Sequence, residues 1–196
     1  MKGKINLCIG PMYSGKTSTL LSRLERYKVA GKKCIIIKYI NDNRYGEGKV
    51  ITHNKYSHEA ISTDLLTNMD NFVKDYDVIM IDEIQFYDDA AYKCDEWANK
   101  NKVVECFGLN GDFERKPFEQ ISLLVPLSDN ITHLKAVETD STNSWDIQDA
   151  PFTFRIVNRN EKELIGGKEM YKALSRENYI RYTKNQHNIE EVNLAL

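Results

Sequence analysis

The most informative part of this chain lies near the N-terminus, at Gly10-Pro11-Met12-Tyr13-Ser14-Gly15-Lys16-Thr17. It has the pattern G-x-x-x-x-G-K-T of a phosphate-binding P-loop. The apolar run Ile5–Ile9 before it predicts a buried strand, and Thr17–Ala30 after it carries leucines at helical spacing. Glycines let backbone N–H groups surround a phosphate, and a helix N-terminus adds partial positive charge. Because both flanks fit, we favour a nucleotide site over a glycine-rich turn that binds nothing.

A second motif supplies acids to the same site. The apolar run Val78–Ile81 is followed directly by Asp82 and Glu83. In P-loop proteins the motif lysine reaches the outer phosphates, while the motif threonine and an acid after a neighbouring strand hold Mg²⁺. Lys16, Thr17 and Asp82 are predicted to fill these roles. Glu83 is then left as a general base or as the residue that orients the nucleophile. An apolar run that ends in acids is common by chance, so this prediction depends on the complete P-loop.

The first two-thirds of the chain alternates strand and helix patterns. Besides the first strand and helix, apolar runs predict strands at Cys34–Ile37, Val78–Ile81 and Val103–Phe107. Helical spacing predicts helices at Asp64–Val73, with Asp64 as the N-cap, and at Asp88–Asn99. The alternation predicts an α/β fold, with a P-loop (RecA-like) parallel sheet and helices on both faces.

The pattern changes after Ala136, where we expect a small C-terminal lobe. Within it, Pro151–Val157 and Glu163–Gly167 are strand-like, and Lys168–Asn178 has the pattern of a short helix. Three units are therefore expected. They are a nucleotide-binding α/β domain over residues 1–136, a small lobe over 137–180, and a polar C-terminal tail over 181–196 that frays.

The composition restricts the class of protein. Of 196 residues, 29% are charged and 41% are hydrophobic, and the formal net charge of −2 gives no reason to expect a surface that binds nucleic acid. No apolar run approaches the ~18 residues of a membrane span, and no signal-peptide core follows Met1. The four cysteines, Cys8, Cys34, Cys94 and Cys106, form no C-x-x-C pair. We expect reduced core cysteines and a cytoplasmic protein without a membrane or nucleic-acid partner.

The polar segment after the second predicted strand contains Asp42, Arg44, His53 and His58. A loop this long in a compact domain is either functional or disordered. Arg44 either stabilises charge on a transferred phosphoryl group or is a solvated loop arginine, and the sequence alone does not separate the two. The histidines have no second ligand at metal-site spacing, so we interpret them as loop residues.

Several further motifs occur in one order along the chain. They are Lys38-Tyr39, Asp42-Asn43-Arg44-Tyr45, Thr52-His53, Ile81-Asp82-Glu83-Ile84-Gln85-Phe86, Gly108-Leu109-Asn110-Gly111-Asp112-Phe113, Arg115-Lys116, Val125-Pro126-Leu127 and Ile165-Gly166-Gly167. Together with the P-loop, this order resembles the P-loop, cytosolic-type (type II) thymidine kinases over about Lys4 to Tyr179. Several of these motifs are specific to that family rather than general to P-loop proteins.

The resemblance implies transfer of the γ-phosphoryl group of ATP to the 5′-hydroxyl of thymidine. It implies that Mg²⁺ is held by Thr17 and Asp82 and that Glu83 is the base. It implies an ATP site made of Gly10, Pro11, Met12, Tyr13, Ser14, Gly15, Lys16, Thr17, Asp42, Asn43, Arg44, Asp82 and Gln85. It implies a nucleoside site, partly on a lasso loop, made of Met12, Phe86, Leu109, Phe113, Phe118, Thr153, Lys162, Glu163, Leu164, Ile165, Gly166 and Tyr171. Without the resemblance, we would interpret Phe86, Phe113 and Phe118 as ordinary residues of a hydrophobic core.

The small lobe departs from the family pattern. Relatives usually carry four zinc ligands, and the matching positions here are Glu138, Ser141, Ser175 and Asn178. Serine and asparagine are poor zinc ligands, so zinc is predicted to be absent. Three apolar residues are expected to form a core in its place: Trp145, Ile147 and Phe152.

A second departure is Ile84, where relatives usually carry glycine. A β-branched residue does not easily take a positive φ, so we expect Ile84 to affect the site through its backbone or its bulk. The resemblance also implies a homo-oligomer, a tetramer or a dimer, and feedback inhibition by thymidine triphosphate (dTTP). The alternatives are a broader pyrimidine deoxynucleoside kinase and a non-catalytic nucleotide-binding regulator, and turnover on a panel of nucleosides separates them.

Overall fold

The computed structural model describes residues 2–42, 49–51, 57–138, 147–156 and 169–194. Four helices lie in these ranges: α1 (Lys16–Val29), α2 (Ala90–Asn99), α3 (Glu119–Leu124) and α4 (Arg176–Leu194). Twelve strands accompany them: β1 (Lys4–Gly10), β2 (Cys34–Tyr39), β3 (Lys49–Ile51), β4 (Ser57–Glu59), β5 (Ile61–Thr63), β6 (Val78–Ile81), β7 (Val103–Leu109), β8 (Asn130–His133), β9 (Ala136–Val137), β10 (Asp149–Ala150), β11 (Phe152–Arg155) and β12 (Tyr171–Leu174). None of the helices in these ranges is long and apolar enough to cross a membrane.

Six strands form one parallel sheet in the order β5-β2-β6-β7-β1-β8. The central strands are buried on both faces and are mostly apolar because helices cover both sides of the sheet, and β6 has no polar residue. Strand β7 lies between β1 and β6, and all three strands are parallel. The segments that follow β1 and β6 therefore emerge at the same edge of the sheet. This arrangement brings the P-loop and the acids after β6 together.

The two faces of the sheet carry separate layers of core. On one face, Leu20 and Leu24 of α1 pack with Ile36 and Met80. The opposite face packs α2 and α3 against the sheet through a larger cluster that includes Trp97. The predicted α/β fold with helices on both faces is therefore confirmed, and so are the predicted strands of the sheet.

The segment predicted as a helix at Asp64–Val73 is instead two 3₁₀ turns, Leu66–Met69 and Val73–Asp75. The cause is a tertiary contact. The Asp89 carboxylate accepts hydrogen bonds from the backbone N–H groups of Leu66 at 3.0 Å and Thr67 at 2.8 Å. Asp64 accepts a side-chain hydrogen bond from Asn68 and does not cap a helix. The prediction of a helix here was wrong.

The small lobe contains a strand where the sequence predicted a helix. Instead of a helix over Lys168–Asn178, residues Tyr171–Leu174 form β12, which pairs antiparallel with β11. Helix α4 begins only at Arg176, and it runs to Leu194 through the segment expected to be a polar tail. Pairing across the lobe overrides the weak local helical pattern.

An aromatic cluster forms the core of this lobe. Phe154, Leu174 and Tyr179 are buried together, and Phe152 and Tyr182 pack against them. Ile147, which we expected in this core, is 78% exposed, so that prediction was wrong. Trp145 lies outside the described residues.

Candidate functional site

The P-loop closes around the ammonium group of Lys16. Its Nζ donates hydrogen bonds to the carbonyl oxygens of Gly10 at 3.2 Å and Pro11 at 2.8 Å, and the side chain is 8% exposed. Gly15 takes a left-handed conformation, with φ of 82°, directly before α1, and glycine does so without steric cost. The loop thus presents a cation and the first N–H groups of α1 at the carboxyl end of β1, an arrangement that binds anions.

Two acids lie beside this loop. The Thr17 hydroxyl donates to Asp82 Oδ2 at 3.5 Å, and Asp82 Oδ1 accepts from the backbone N–H of Glu83 at 3.1 Å. Asp82 is 6% exposed and Glu83 is 8% exposed. Hydroxyl and carboxylate oxygens are the ligands that Mg²⁺ prefers, so the donor set fits this ion. No group of three or more His, Cys, Asp and Glu side chains that could hold a metal occurs among the described residues.

The backbone at Glu83 has a conformation that the sequence did not predict. Glu83 itself takes the left-handed conformation, with φ of 51°, whereas Ile84 does not. Ile84 begins a 3₁₀ turn, Ile84–Phe86, and its side chain is fully buried in the core. Ile84 therefore does not affect the site through a positive φ of its own, because the unusual φ falls one residue earlier, and an effect of its bulk stays a prediction. Non-glycine residues held in this conformation are concentrated at functional sites.

Asp42 follows β2 and is 8% exposed, so a third carboxylate is buried at this edge of the sheet. Asn43 and Arg44 lie outside the described residues.

Tyr87 is a residue that the sequence reasoning missed. Burial, followed by the negative charges of Asp82 and Glu83, raises the pKa of its phenol, so the hydroxyl stays protonated. This hydroxyl is fully buried and has no hydrogen-bond partner in the described part of the chain.

Two of the predicted nucleoside residues, Phe86 and Phe118, form an aromatic pair next to the acids. Their ring centroids are 6.2 Å apart at an edge-to-face angle of 80°. Tyr39 packs on Phe86 with a centroid separation of 5.3 Å. Leu109, at the end of β7, donates its backbone N–H to Gln85 Oε1 at 3.1 Å. The sheet edge therefore joins the acids to an aromatic surface of the kind that nucleobases stack on.

A second group of predicted residues centres on Arg155, which the sequence reasoning also missed. Its guanidinium carbon lies 3.7 Å from the ring centroid of Phe113, and its Nη2 donates to the Tyr171 hydroxyl at 3.2 Å. The Tyr179 hydroxyl donates to the Phe113 carbonyl at 2.6 Å. A charged residue within the predicted strand Pro151–Val157 was the available signal. Residues Lys162, Glu163, Leu164, Ile165 and Gly166 lie outside the described residues.

The P-loop and the small lobe are in direct contact. The backbone N–H of Met12 donates to Thr153 Oγ1 at 3.0 Å, and Thr153 is 4% exposed. The next residue, Tyr13, packs against the buried alanines Ala136, Ala150 and Ala173. The predicted nucleoside residues Met12 and Thr153 are thus joined across the boundary between the two parts of the chain.

Three of the four positions that the family resemblance matched to zinc ligands lie together. Glu138 Oε2 accepts from the backbone N–H of Ser175 at 2.6 Å, and Ser175 Oγ accepts from the backbone N–H of Asn178 at 3.3 Å. Ser141 lies outside the described residues. Hydrogen bonds to the start of α4 therefore connect these positions, and the absence of zinc stays a prediction.

Comparison with known proteins gives consistent matches. A sequence model of the family described as thymidine kinase matches residues 3–179. The thymidine kinase of raccoon poxvirus is 44% identical over 178 residues, which cover 91% of this chain and 97% of that protein. The thymidine kinases of vaccinia virus (strain Western Reserve) and monkeypox virus are 42% and 41% identical over the same shares. The resemblance that the motifs indicated is confirmed.

Proposed function

Because the chain belongs to the thymidine kinase family, we propose that it transfers the γ-phosphoryl group of ATP to the 5′-hydroxyl of thymidine to give dTMP, for nucleotide salvage. The observation that carries the proposal is the meeting of the P-loop with two buried acids, with Thr17 Oγ1 3.5 Å from Asp82 Oδ2 and Glu83 next along the chain. Phosphoryl transfer needs such positioning and charge stabilisation more than covalent chemistry.

The P-loop residues hold the phosphates of ATP in this proposal. Lys16 supplies positive charge where the loop carbonyls fix its ammonium group, and the backbone of residues 10–17 supplies N–H donors. Thr17 and Asp82 hold Mg²⁺, which when bound neutralises charge on the phosphate oxygens. Asp42, Asn43 and Arg44 complete the phosphate side, and Arg44 stabilises charge on the transferred group.

Glu83 is the general base. Its carboxylate takes the proton of the nucleoside 5′-hydroxyl as the hydroxyl oxygen attacks the γ-phosphorus, and the bond from that phosphorus to the ADP oxygen breaks. The nucleoside lies between Phe86 and Phe118 on one side and the small lobe on the other. The lobe contributes Thr153, Tyr171 and the lasso residues 162–166. Met12, Leu109 and Phe113 complete the base pocket.

The finer features of the proposal follow the family. We include a homo-oligomer, feedback inhibition by dTTP, a reducing cytoplasmic location and a lobe without zinc. The division into a nucleotide-binding domain over 1–136, a nucleoside-binding lobe over 137–180 and a tail is also part of it. Support for the location comes from the four cysteines, all of which are free thiols.

The test is turnover of thymidine, deoxyuridine and deoxycytidine with ATP, for the wild type and Glu83→Gln. We expect strong thymidine turnover that falls by about 10²- to 10⁴-fold in the variant, the range that a general base contributes. Glu119→Gln, an exposed acid on α3, is the matched control and should keep wild-type turnover. Dominant deoxycytidine turnover would favour the broader nucleoside kinase. ATP binding without turnover would favour the non-catalytic regulator.

A further inference from the structure

We propose that Gln85 is a positioning residue that holds the carboxylate of Glu83 in the orientation that accepts the proton. The inference rests on the proposed function, in which Glu83 is the base. It differs from the place beside the ATP phosphates that the family resemblance implies for Gln85. Both side chains are buried, with Gln85 7% exposed and Glu83 8% exposed, so their contact is shielded from water.

The side-chain amide of Gln85 is bonded at both ends. Its Oε1 accepts from the backbone N–H of Leu109 at 3.1 Å, and its Nε2 donates to Glu83 Oε2 at 2.7 Å. A backbone N–H is only a donor, so the amide oxygen must face Leu109 and the amide NH₂ must face Glu83. Oε2 of Glu83 therefore accepts a hydrogen bond from Gln85, and this contact fixes the orientation of the carboxylate.

The neighbouring strand leaves space for this contact. A Cβ added to Gly108 of β7 would lie 2.7 Å from Gln85 Oε1 and 2.7 Å from Ile84 Cγ2. A side chain at Gly108 would therefore force the side chains of Gln85 and Ile84 to move. Because residue 108 is glycine, the Gln85 side chain has room to connect the end of β7 to the acid after β6. The Glu83 carboxylate is thereby held in place by a bond to the sheet.

The backbone conformation of Glu83 gives this connection its importance. Glu83 is held with φ of 51° and ψ of 44° between β6 and the 3₁₀ turn, so its side chain leaves the sheet from a turn and not from a regular strand. A catalytic group on a turn needs a neighbouring side chain to lock its direction. The hydrogen bond from Gln85, in the middle of the 3₁₀ turn, reaches back to Glu83, the residue directly before the turn.

The experiment compares Gln85→Met with a matched glutamine elsewhere. Gln120 forms the same kind of bridge, since its Oε1 accepts from Ala91 N–H at 3.0 Å and its Nε2 donates to the Asp88 carbonyl at 2.7 Å. We expect Gln85→Met to lower kcat for thymidine by about 10- to 100-fold, the cost of a small misplacement of a catalytic group. The Kd for ATP, measured by equilibrium dialysis, should stay within about twofold. Gln120→Met should keep kcat within about twofold although it loses an equivalent pair of hydrogen bonds.

A double-variant cycle shows whether Gln85 acts through Glu83. If it does, Gln85→Met should lower kcat no further in a protein that already carries Glu83→Gln. An undiminished further loss would overturn the inference, as would a raised Kd for ATP with kcat unchanged. Equal effects of Gln85→Met and Gln120→Met on kcat would reduce Gln85 to a structural role. A wild type inactive on every nucleoside refutes the proposed function and the inference together, whereas an active wild type with an unaffected Gln85→Met refutes the inference alone.

Discussion

The backbone N–H of Met12 in the P-loop donates a 3.0 Å hydrogen bond to the hydroxyl oxygen of Thr153 in β11. This contact joins the loop proposed to hold the ATP phosphates to the lobe proposed to hold the nucleoside. Thr153 has two chemically separate groups, a hydroxyl that accepts from the loop and a methyl group in the pocket proposed for the nucleoside base. Substitutions can remove them one at a time.

Thr153→Val keeps the shape and the methyl group but removes the acceptor for Met12 N–H. An unsatisfied buried N–H costs about 1–3 kcal/mol, so we expect the P-loop to shift and the KM for ATP to rise several-fold. Thr153→Ser keeps the acceptor and removes the methyl group. Its KM for ATP should stay unchanged, while its preference for thymidine over deoxyuridine falls. Steady-state kinetics with both nucleosides measure these effects, and a normal KM for ATP in Thr153→Val would show that the contact does not order the loop.

Tyr87→Phe should preserve or increase stability. The Tyr87 hydroxyl is fully buried with no hydrogen-bond partner among the described residues. Its removal therefore breaks no hydrogen bond in that part of the chain and ends the penalty of burying a polar group. We expect the free energy of unfolding in urea to rise by up to about 1–2 kcal/mol. Tyr92→Phe, an exposed tyrosine on α2, is the control. A loss of stability, or of turnover in the stable variant, would mean that the hydroxyl has a partner in the working enzyme.

Glu138→Gln should loosen the small lobe without any metal being involved. The Glu138 carboxylate accepts from Ser175 N–H at the start of α4, where a negative charge is favourable. Neutralising this buried group should lower the free energy of unfolding by about 1–2 kcal/mol. Elemental analysis should find no zinc, and a chelator should leave the unfolding curve of the wild type unchanged. One zinc per chain that survives purification would contradict this account.

Glu105→Gln should destabilise the face of the sheet that α1 covers. Glu105 is 1% exposed and accepts from Asn6 at 2.6 Å, Arg23 at 2.6 Å and Tyr27 at 2.7 Å. A glutamine offers one acceptor oxygen and turns an NH₂ group towards these donors. Arg23 is partly exposed, so water compensates part of the loss, and we expect a cost of about 2 kcal/mol in urea unfolding. Turnover at 25 °C should be unchanged, because the network lies away from the acids after β6, and a large loss of kcat would contradict that separation.

The secondary structure of short segments with weak sequence patterns could be assigned only from the tertiary structure. Residues 171–174 lie in a segment with a helical pattern, yet they pair with β11 because this pairing buries Tyr171, Ala173 and Leu174. The turns after Asp64 form because the Asp89 carboxylate, 23 residues away from Leu66, accepts their N–H groups. Local propensity amounts to tenths of a kcal/mol per residue, so one long-range contact reverses it.

The parallel sheet, the P-loop and the position of Asp82 and Glu83 beside it could be predicted from the amino-acid sequence alone. Long apolar runs have few ways to be buried, and the carboxyl ends of parallel strands share one edge. How those residues are held was visible only once the chain had folded. The amide bridge from Gln85 to Leu109 and the bond from Met12 to Thr153 are contacts between segments distant in the chain. Sequence spacing carries no information about such contacts, because they arise from the way whole elements pack.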